Sequence, residues 1–362
     1  MPRPTKRVKS FGAIDLHFHG AFGIDLMSAN PAELDALSAS LADHGVAGFS
    51  ATTLSASEKD LGAAVSRLGA WIRSDSAPGA VPLGIHLEGP FLNPEAAGAH
   101  PPGILRKLRI EELEDLWERS KETLQILTVA PETLDDETRK TLGSWAKKRR
   151  VRLAIGHTRC TIAQAERAFT DGFSGVTHAW NALSYHHREP GVLGAAFGRK
   201  STYVELIPDE IHVHPSFIDW TLAMHPRGTF FVSDAAPAAC TDGSHFHRFG
   251  DLECRFQDRA SRLPDGRLAG GGFLLPESFG QWVAAEALRK KASPEKILKS
   301  HLARTNRVPL EALFRKPAEI ARLLKRFPVR WEIVPGTRGG PAVLAVRSLR
   351  KLPKKPAKST RS

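Results

Sequence analysis

Residues 81–90, VPLGIHLEGP, are the stretch from which the rest of the chain can be read. The run is apolar until its end, as a strand interior should be. Side chains of a strand alternate between its faces, so His86 and Glu88 share one face. Gly89 and Pro90 then stop the strand and open a loop. A buried strand that ends on an imidazole and a carboxylate carries its polar chemistry at one end only.

Working outward, seven further segments have the same build: GAIDLHFHG, VAGFSATTL, LQILTVAP, VRLAIGHT, GVTHAWNAL, TYVELIPDEIHVH and TFFVSDAA. Amphipathic helical runs separate most of them, at 31–44, 57–73, 111–122, 134–149 and 161–171. This alternation is the rhythm of parallel strands joined by crossover helices. Eight such units in 362 residues predict a (β/α)8 TIM barrel, whose active site lies at the C-terminal ends of the strands. The polar residues ending the strands are His17 and His19, Glu88, His157, His178, His212 with His214, and Asp234. Residues 11–327 are read as the barrel, with an active-site loop near 241–272 where the sequence turns irregular and rich in Gly, Asp and Arg. Residues 328–348 are read as small accessory strands, 1–10 as a basic flexible N-terminus and 349–362 as a basic disordered tail.

Composition narrows the function classes. The formal net charge of +12 is concentrated at the two ends, and the C-terminal basic run contains no interleaved aromatic residue, so nucleic acid is disfavoured as a partner. Cys160, Cys240 and Cys254 form no CxxC pair, which argues against a disulfide framework or a thiolate zinc site and fits a reducing cytoplasm. No stretch is long and apolar enough to span a membrane, and the basic N-terminus lacks the apolar core of a signal peptide.

His17 and His19 project to one face of their strand at the barrel mouth, where two imidazoles suit a divalent metal. Glu88, His157 and His178 are individually ordinary: a buried acid is more often paired with arginine, and a lone strand-end histidine is more often a satisfied core residue. Together, from three strands converging on one mouth, they match a catalytic site that leaves a position open for water. Such a site lowers the pKa of bound water from about 15.7 to roughly 7. Asp234 is then placed to take the proton, with helix capping as the alternative use of that residue.

From about residue 12 to about residue 280 the chain resembles the N-acetylglucosamine-6-phosphate deacetylases of the amidohydrolase superfamily. The resemblance rests on IDLHFHG, HLEGPFLNPEAAGAHPP, IGHTRCTIAQA, GVTHAWNAL, HREPGVLGAA, ELIPDEIHVHP, VSDAAPAA and DGRLAGG. It implies that Glu88, His157 and His178 bind the main metal, with zinc as first choice and iron or another divalent ion as alternatives. It implies Asp234 as base and then acid, and His100, beside Ala99, as a substrate-contacting histidine near the reacting acetamide. Sugar-phosphate contacts are implied for Asn181, Ala182, Arg188, His212, Leu268, Ala269 and Gly270. Retention of both His17 and His19 leaves room for a second metal.

The implied reaction is hydrolysis of N-acetylglucosamine 6-phosphate to glucosamine 6-phosphate and acetate. The expected partner is this small molecule, with room for a homodimer. Family members carry a small β-sandwich built from both termini, and only about ten residues precede the first strand here, so that domain is expected to be reduced or missing. Two other classes share some features: another amidohydrolase, such as a cyclic amidase or a nucleobase deaminase, and an inactive sugar-phosphate-binding protein. The first would use a modified bridging lysine where this chain has Glu88, and the second would have lost a ligand or Asp234.

Overall fold

The computed structural model describes residues 6–313, 316–335 and 341–346; the expected tail at 349–362 lies outside the described residues. In chain order the elements begin with β1 (Lys6–Phe11), β2 (Ala13–Phe18), a short hairpin of β3 (Gly20–Ala21) and β4 (Ile24–Asp25), α1 (Pro31–Asp43), β5 (Val46–Thr53), α2 (Glu58–Arg73) and β6 (Val81–Glu88). They continue with α3 (Ile110–Arg119), β7 (Leu124–Val129), α4 (Asp136–Arg149), β8 (Arg152–Ile155), α5 (Ile162–Thr170), β9 (Phe173–Val176), α6 (Gly191–Phe197), β10 (Tyr203–Leu206), α7 (Pro215–Met224) and β11 (Thr229–Phe231). An insert follows, made of β12 (His247–Phe249), β13 (Leu252–Gln257), β14 (Ala260–Arg262) and β15 (Leu268–Gly271). The chain then runs through α8 (Leu275–Arg289), α9 (Pro294–His301), α10 (Arg307–Ala312), α11 (Pro317–Arg326), β16 (Pro328–Pro335) and β17 (Pro341–Val346).

Eight parallel strands form one sheet in the order β11-β10-β9-β8-β7-β6-β5-β2. The sheet curls until its edges meet: the Asp234 amide donates to the His17 carbonyl at 3.0 Å, and the His19 amide donates to the Ala235 carbonyl at 2.9 Å. This closure makes the (β/α)8 barrel that the alternating pattern predicts.

Local chemistry supports several of the crossovers. Asn30 caps α1 in a reciprocal capping box with Glu33, and Pro31 occupies the first turn, where its missing N–H costs nothing. Thr161 and Gln164 form the same box on α5. One large core lies between sheet and helices, containing Leu34, Leu61, Leu113, Leu142, Phe231 and Trp282. A second fills the lower barrel interior, where Ile14, Leu16, Ala47, Leu83, Ile126 and Phe230 meet Leu310, Ile320 and Leu324 from α10 and α11. The N-terminal end of the barrel is therefore packed with apolar residues, while the C-terminal end holds the histidines and carboxylates.

Two expectations about the scaffold need correction. Residues 6–10, expected to be flexible, lie in β1, which pairs antiparallel with β16 from Lys6↔Ile333 to Phe11↔Pro328. Composition alone favoured a solvated segment, but Val8 is buried, Lys6 meets Glu295 at 2.7 Å and Arg7 meets Glu332 at 3.2 Å. The 241–272 segment, read as irregular, contains the four-stranded antiparallel sheet β12–β15. Its strands are short and mostly polar outside, so period-two alternation is weak. Its inner face buries Phe249, Cys254, Leu263 and Ala269 against Leu54, Ala236 and Ala238 over the barrel mouth.

The sheet β1-β16-β17 is the reduced small domain. Trp331 of β16 is buried, with its ring edge-on to Phe279 of α8 at 5.5 Å. Through that contact the sheet is packed onto the barrel.

Candidate active site

The barrel mouth encloses a cavity of about 170 Å³ lined by His19, Glu88, Ala99, His100, His157, His178, Asn181, Ala182, His212, Asp234, Leu268, Ala269 and Gly270, among others. A larger cavity, about 1010 Å³, opens at the opposite end beside α4 and the starts of β8, β9 and β10. Its lining holds no histidine or cysteine. Chemistry, not size, selects the smaller one.

Glu88, the last residue of β6, is the hub. Its Oε1 lies 3.0 Å from His178 Nε2 and 3.3 Å from His157 Nε2. Its Oε2 lies 3.3 Å from His17 Nε2, 3.2 Å from His19 Nε2 and 3.4 Å from His100 Nε2. Asp234 Oδ1 closes the other side, 3.3 Å from His17 Nε2 and 3.4 Å from His19 Nε2. His157, His178 and Asp234 follow their strands at φ of 46°, 27° and 51°, so each strand turns sharply and aims its last polar side chain inward. Such backbone is costly for non-glycine residues and gathers at functional sites.

These residues fit a cation. The His157 Nδ1–H donates to the Ala96 carbonyl at 2.9 Å, which leaves the Nε2 lone pair facing Glu88 and His178. His17 Nδ1 lies 3.0 Å from the Glu205 carboxylate, which can only accept, so its Nε2 also turns inward. Imidazole nitrogens meet head-on, His17 to His19 at 3.2 Å and His157 to His178 at 3.0 Å. Lone pairs packed this closely against two carboxylates need positive charge between them. Among the described residues three groupings have atoms of ligand type within 4.8 Å of one another: Glu88 with His100 and His157, His17 with His19 and Asp234, and, deeper in the barrel, His17 with His86 and Glu205.

Electrostatics agree. Burial alone would raise the Glu88 carboxyl, but positive charge at His17, carried by a proton where no ion is bound, and a hydrogen bond from His100 hold it well below the usual carboxylate range. Burial likewise opposes ionisation of Asp234, yet His17, a hydrogen bond from His19, and His178 hold it well below that range as well. Both acids are therefore acceptors.

His100 differs. The Ser55 amide donates to its Nδ1 at 3.3 Å and the Ser55 hydroxyl lies 2.7 Å from the same atom. An accepting Nδ1 fixes the tautomer that carries its proton on Nε2, aimed at the cavity. Burial pushes its pKa down to about 4, so the ring is a neutral N–H donor.

Other expected residues are distributed as follows. Asn181, Ala182, Leu268, Ala269, Gly270 and Ala99 line the cavity, with the β15 residues reaching it from the insert. His212 lines it too, but it does not end a strand: β10 stops at Leu206, before Pro208, and His212 stands in the following loop. His214, read with it as a strand end, instead caps α7, accepting from the Ser216 amide. Arg188 is outside the lining; its side chain is exposed and bonds His187 at 2.9 Å. His86 shares a face with Glu88 but lies within the barrel, bonded to the Leu16 carbonyl and to Thr128 Oγ1.

Glu205 escaped the sequence reading. It sits inside β10, 4% exposed, beneath His17 and the His178 amide. Its signal was present as an acid inside the apolar run YVELI.

No protein-family model matches the chain. Curated relatives do: it is 35% identical over 258 residues to an N-acetylgalactosamine-6-phosphate deacetylase of Escherichia coli O157:H7, covering 71% of this chain and 67% of that protein. It is 34% identical over 281 residues to an N-acetylglucosamine-6-phosphate deacetylase of Bacillus subtilis (strain 168), covering 76% and 69% respectively. Among solved structures, an N-acetyl-D-glucosamine-6-phosphate deacetylase mutant from Mycobacterium smegmatis, in complex with N-acetyl-D-glucosamine-6-phosphate, superposes with a TM-score of 0.81 at 25% identity, covering 90% of this chain and 83% of that one. The Thermotoga maritima enzyme gives 0.75 at 27% identity, covering 92% and 85%. With a barrel mouth built of imidazoles around one glutamate, and relatives of this closeness, the chain belongs to the N-acetylglucosamine-6-phosphate deacetylase family of amidohydrolases.

Proposed function

We propose that this chain hydrolyses the N-acetyl group of N-acetylglucosamine 6-phosphate, releasing acetate and glucosamine 6-phosphate. The observation that carries the proposal is the convergence of Glu88, His157 and His178 with Asp234 and a donor-oriented His100 around one small cavity. Glu88, His157 and His178 would hold the main divalent ion, for which we favour zinc, with iron as the alternative. His17, His19 and Asp234 would hold a second. A bound ion supplies Lewis-acid polarisation and lets water ionise near neutrality.

The protein's own groups do the rest. Asp234, ionised at rest, accepts a proton from the attacking water and returns it to the amide nitrogen as the carbon–nitrogen bond breaks. His100 presents Nε2–H to the acetyl oxygen and stabilises the charge that develops there. Asn181, Ala182 and His212 face the sugar phosphate from one wall, and Leu268, Ala269 and Gly270 from the insert. We assign Arg188 to the phosphate at the rim, reached by swinging its exposed side chain from His187. Among the described residues no helix is long and apolar enough to cross a membrane. We place the enzyme in the cytoplasm, in keeping with three free cysteines, and as a homodimer through exposed Tyr185, Trp220 and Met224, which sedimentation would check.

Acetate release from phosphorylated and unphosphorylated N-acetylglucosamine, run beside metal analysis of the purified protein, tests the proposal. Turnover of the phosphorylated sugar by metal-loaded enzyme is expected. Absence of bound metal together with indifference to the phosphate would sink it.

A further inference from the structure

Asp209 has been given no role so far, yet both of its side-chain oxygens reach His212. In the loop after β10 its Oδ1 accepts from the amides of Ile211 and His212, both at 2.9 Å. Its Oδ2 stands 2.6 Å from His212 Nδ1. A carboxylate can only accept, so the proton between them belongs to Nδ1. Asp209 and the His212 side chain are buried, and His212 Nε2 is enclosed and has no hydrogen-bond partner in the protein. That atom belongs to a residue lining the active-site cavity.

We propose that Asp209 is a positioning residue: by taking the Nδ1–H of His212 it fixes the ring and presents Nε2–H to an anionic group of the substrate. The proposal rests on the reading that His212 meets the sugar phosphate.

The loop is braced for the purpose. Glu210 pairs with Arg289 of α8 at 2.5 Å, and Arg259, just ahead of β14, reaches the Asp209 carbonyl at 3.5 Å. Three charged groups act on His212 from the surrounding elements: Asp209 in its own loop, Asp234 after β11 and Arg262 of β14. Burial depresses the ring's basicity and Arg262 opposes protonation, but Asp209, by charge and hydrogen bond, and Asp234 outweigh them, so the pKa is raised. The shift favours the imidazolium, a charge-assisted donor that suits a phosphate oxygen. Without the carboxylate it would fall back to a neutral ring, free to choose either tautomer.

Asp209→Asn separates these effects. The amide oxygen still accepts from both backbone amides, so the loop is kept, but the amide nitrogen cannot accept Nδ1–H. In the metal-loaded full chain, nitrogen-15 NMR of labelled histidines, with His212→Gln to assign the signal, should show His212 as imidazolium in the parent near neutral pH. In Asp209→Asn it should be neutral. KM for the phosphorylated sugar should rise about tenfold, the size of about 1.4 kcal/mol of lost interaction. kcat should change little, and KM for the unphosphorylated sugar should not move. His212→Gln should reproduce the KM rise, and the double variant should add nothing to it, because both substitutions remove one interaction.

An unchanged His212 titration in Asp209→Asn overturns the proposal, as do additive effects in the double variant. A changed titration with unchanged KM for the phosphorylated sugar would confirm Asp209's hold on the ring and overturn the assignment of His212 to the phosphate. Equal losses on both sugars, with a lowered Tm, would reduce Asp209 to a loop brace and also overturn the proposal.

Discussion

Asp234→Asn removes the proposed base, and with it one carboxylate of the proposed second ion position, while leaving the backbone in place. Asp234 sits at φ 51°, a left-handed backbone that asparagine adopts as readily as aspartate. Its amide bond to the His17 carbonyl at 3.0 Å and its carbonyl's bond from the Gly271 amide at 2.6 Å belong to the main chain and survive. The barrel seam should therefore stay closed. What disappears is the ionised oxygen 3.3 Å from His17 Nε2 and 3.4 Å from His19 Nε2, the group placed to accept and return a proton. A positioned acid–base group contributes typically about 10²–10⁴ in rate. At about 1.36 kcal/mol per tenfold, that is about 2.7–5.4 kcal/mol of barrier. The upper half is expected, because the same carboxylate serves both halves of the reaction. The assay is steady-state acetate release with kcat and KM separated, on protein whose metal content matches the parent and whose circular dichroism is unchanged. A kcat within about threefold of the parent under those conditions would show that Asp234 does not move the proton, since a positioned group is worth far more.

Three further outcomes follow from the same geometry. Glu205→Gln keeps the shape beneath His17 but removes the carboxylate that orients it; metal affinity at the His17–His19 position should fall about 10–100-fold, read by competition with a chelator, and an unchanged affinity would separate Glu205 from that site. Gly270→Ala puts a Cβ 2.5 Å from the Asp234 carbonyl at φ +117°, so a loss of about 2–4 kcal/mol by denaturant titration is expected, combining backbone strain with overpacking. The Asp209–His212 pair should shape stability against pH. Burial works against both charges, yet Asp209 is lowered from 3.8 and His212 raised from 6.5, each by the other's charge and hydrogen bond. Its stabilisation is complete between those two ordinary values, fading as pH rises through the raised histidine pKa and as it falls through the lowered aspartate pKa. Tm against pH for the parent and Asp209→Asn should converge outside that window, and parallel curves would refute the linkage.

The barrel was legible because its evidence is local. Short apolar runs separated by amphipathic helices specify strand and helix within a dozen residues, and the strand ends near His17, Glu88 and Asp234 could be read off directly. Where local signals conflicted with long-range ones, the reading failed. TYVELIPDEIHVH looks continuous, but β10 ends before Pro208, which sends His212 into a loop and His214 to the start of α7. The insert sheet was hidden because strands of three to six residues, half exposed, show little alternation.

By itself, then, the sequence determined the eight βα units, the residue types at the barrel mouth and the family motifs, since all of these are set by neighbours along the chain. Tertiary structure alone decided how those residues meet. Glu88 becomes the hub of five imidazoles, Glu205 the support of His17, and β1 the partner of a strand at the far end of the chain. The reason is physical: burial, tautomer and charge at this site arise from groups brought together by barrel closure, and no period in the sequence encodes a contact between residues 188 or 289 positions apart.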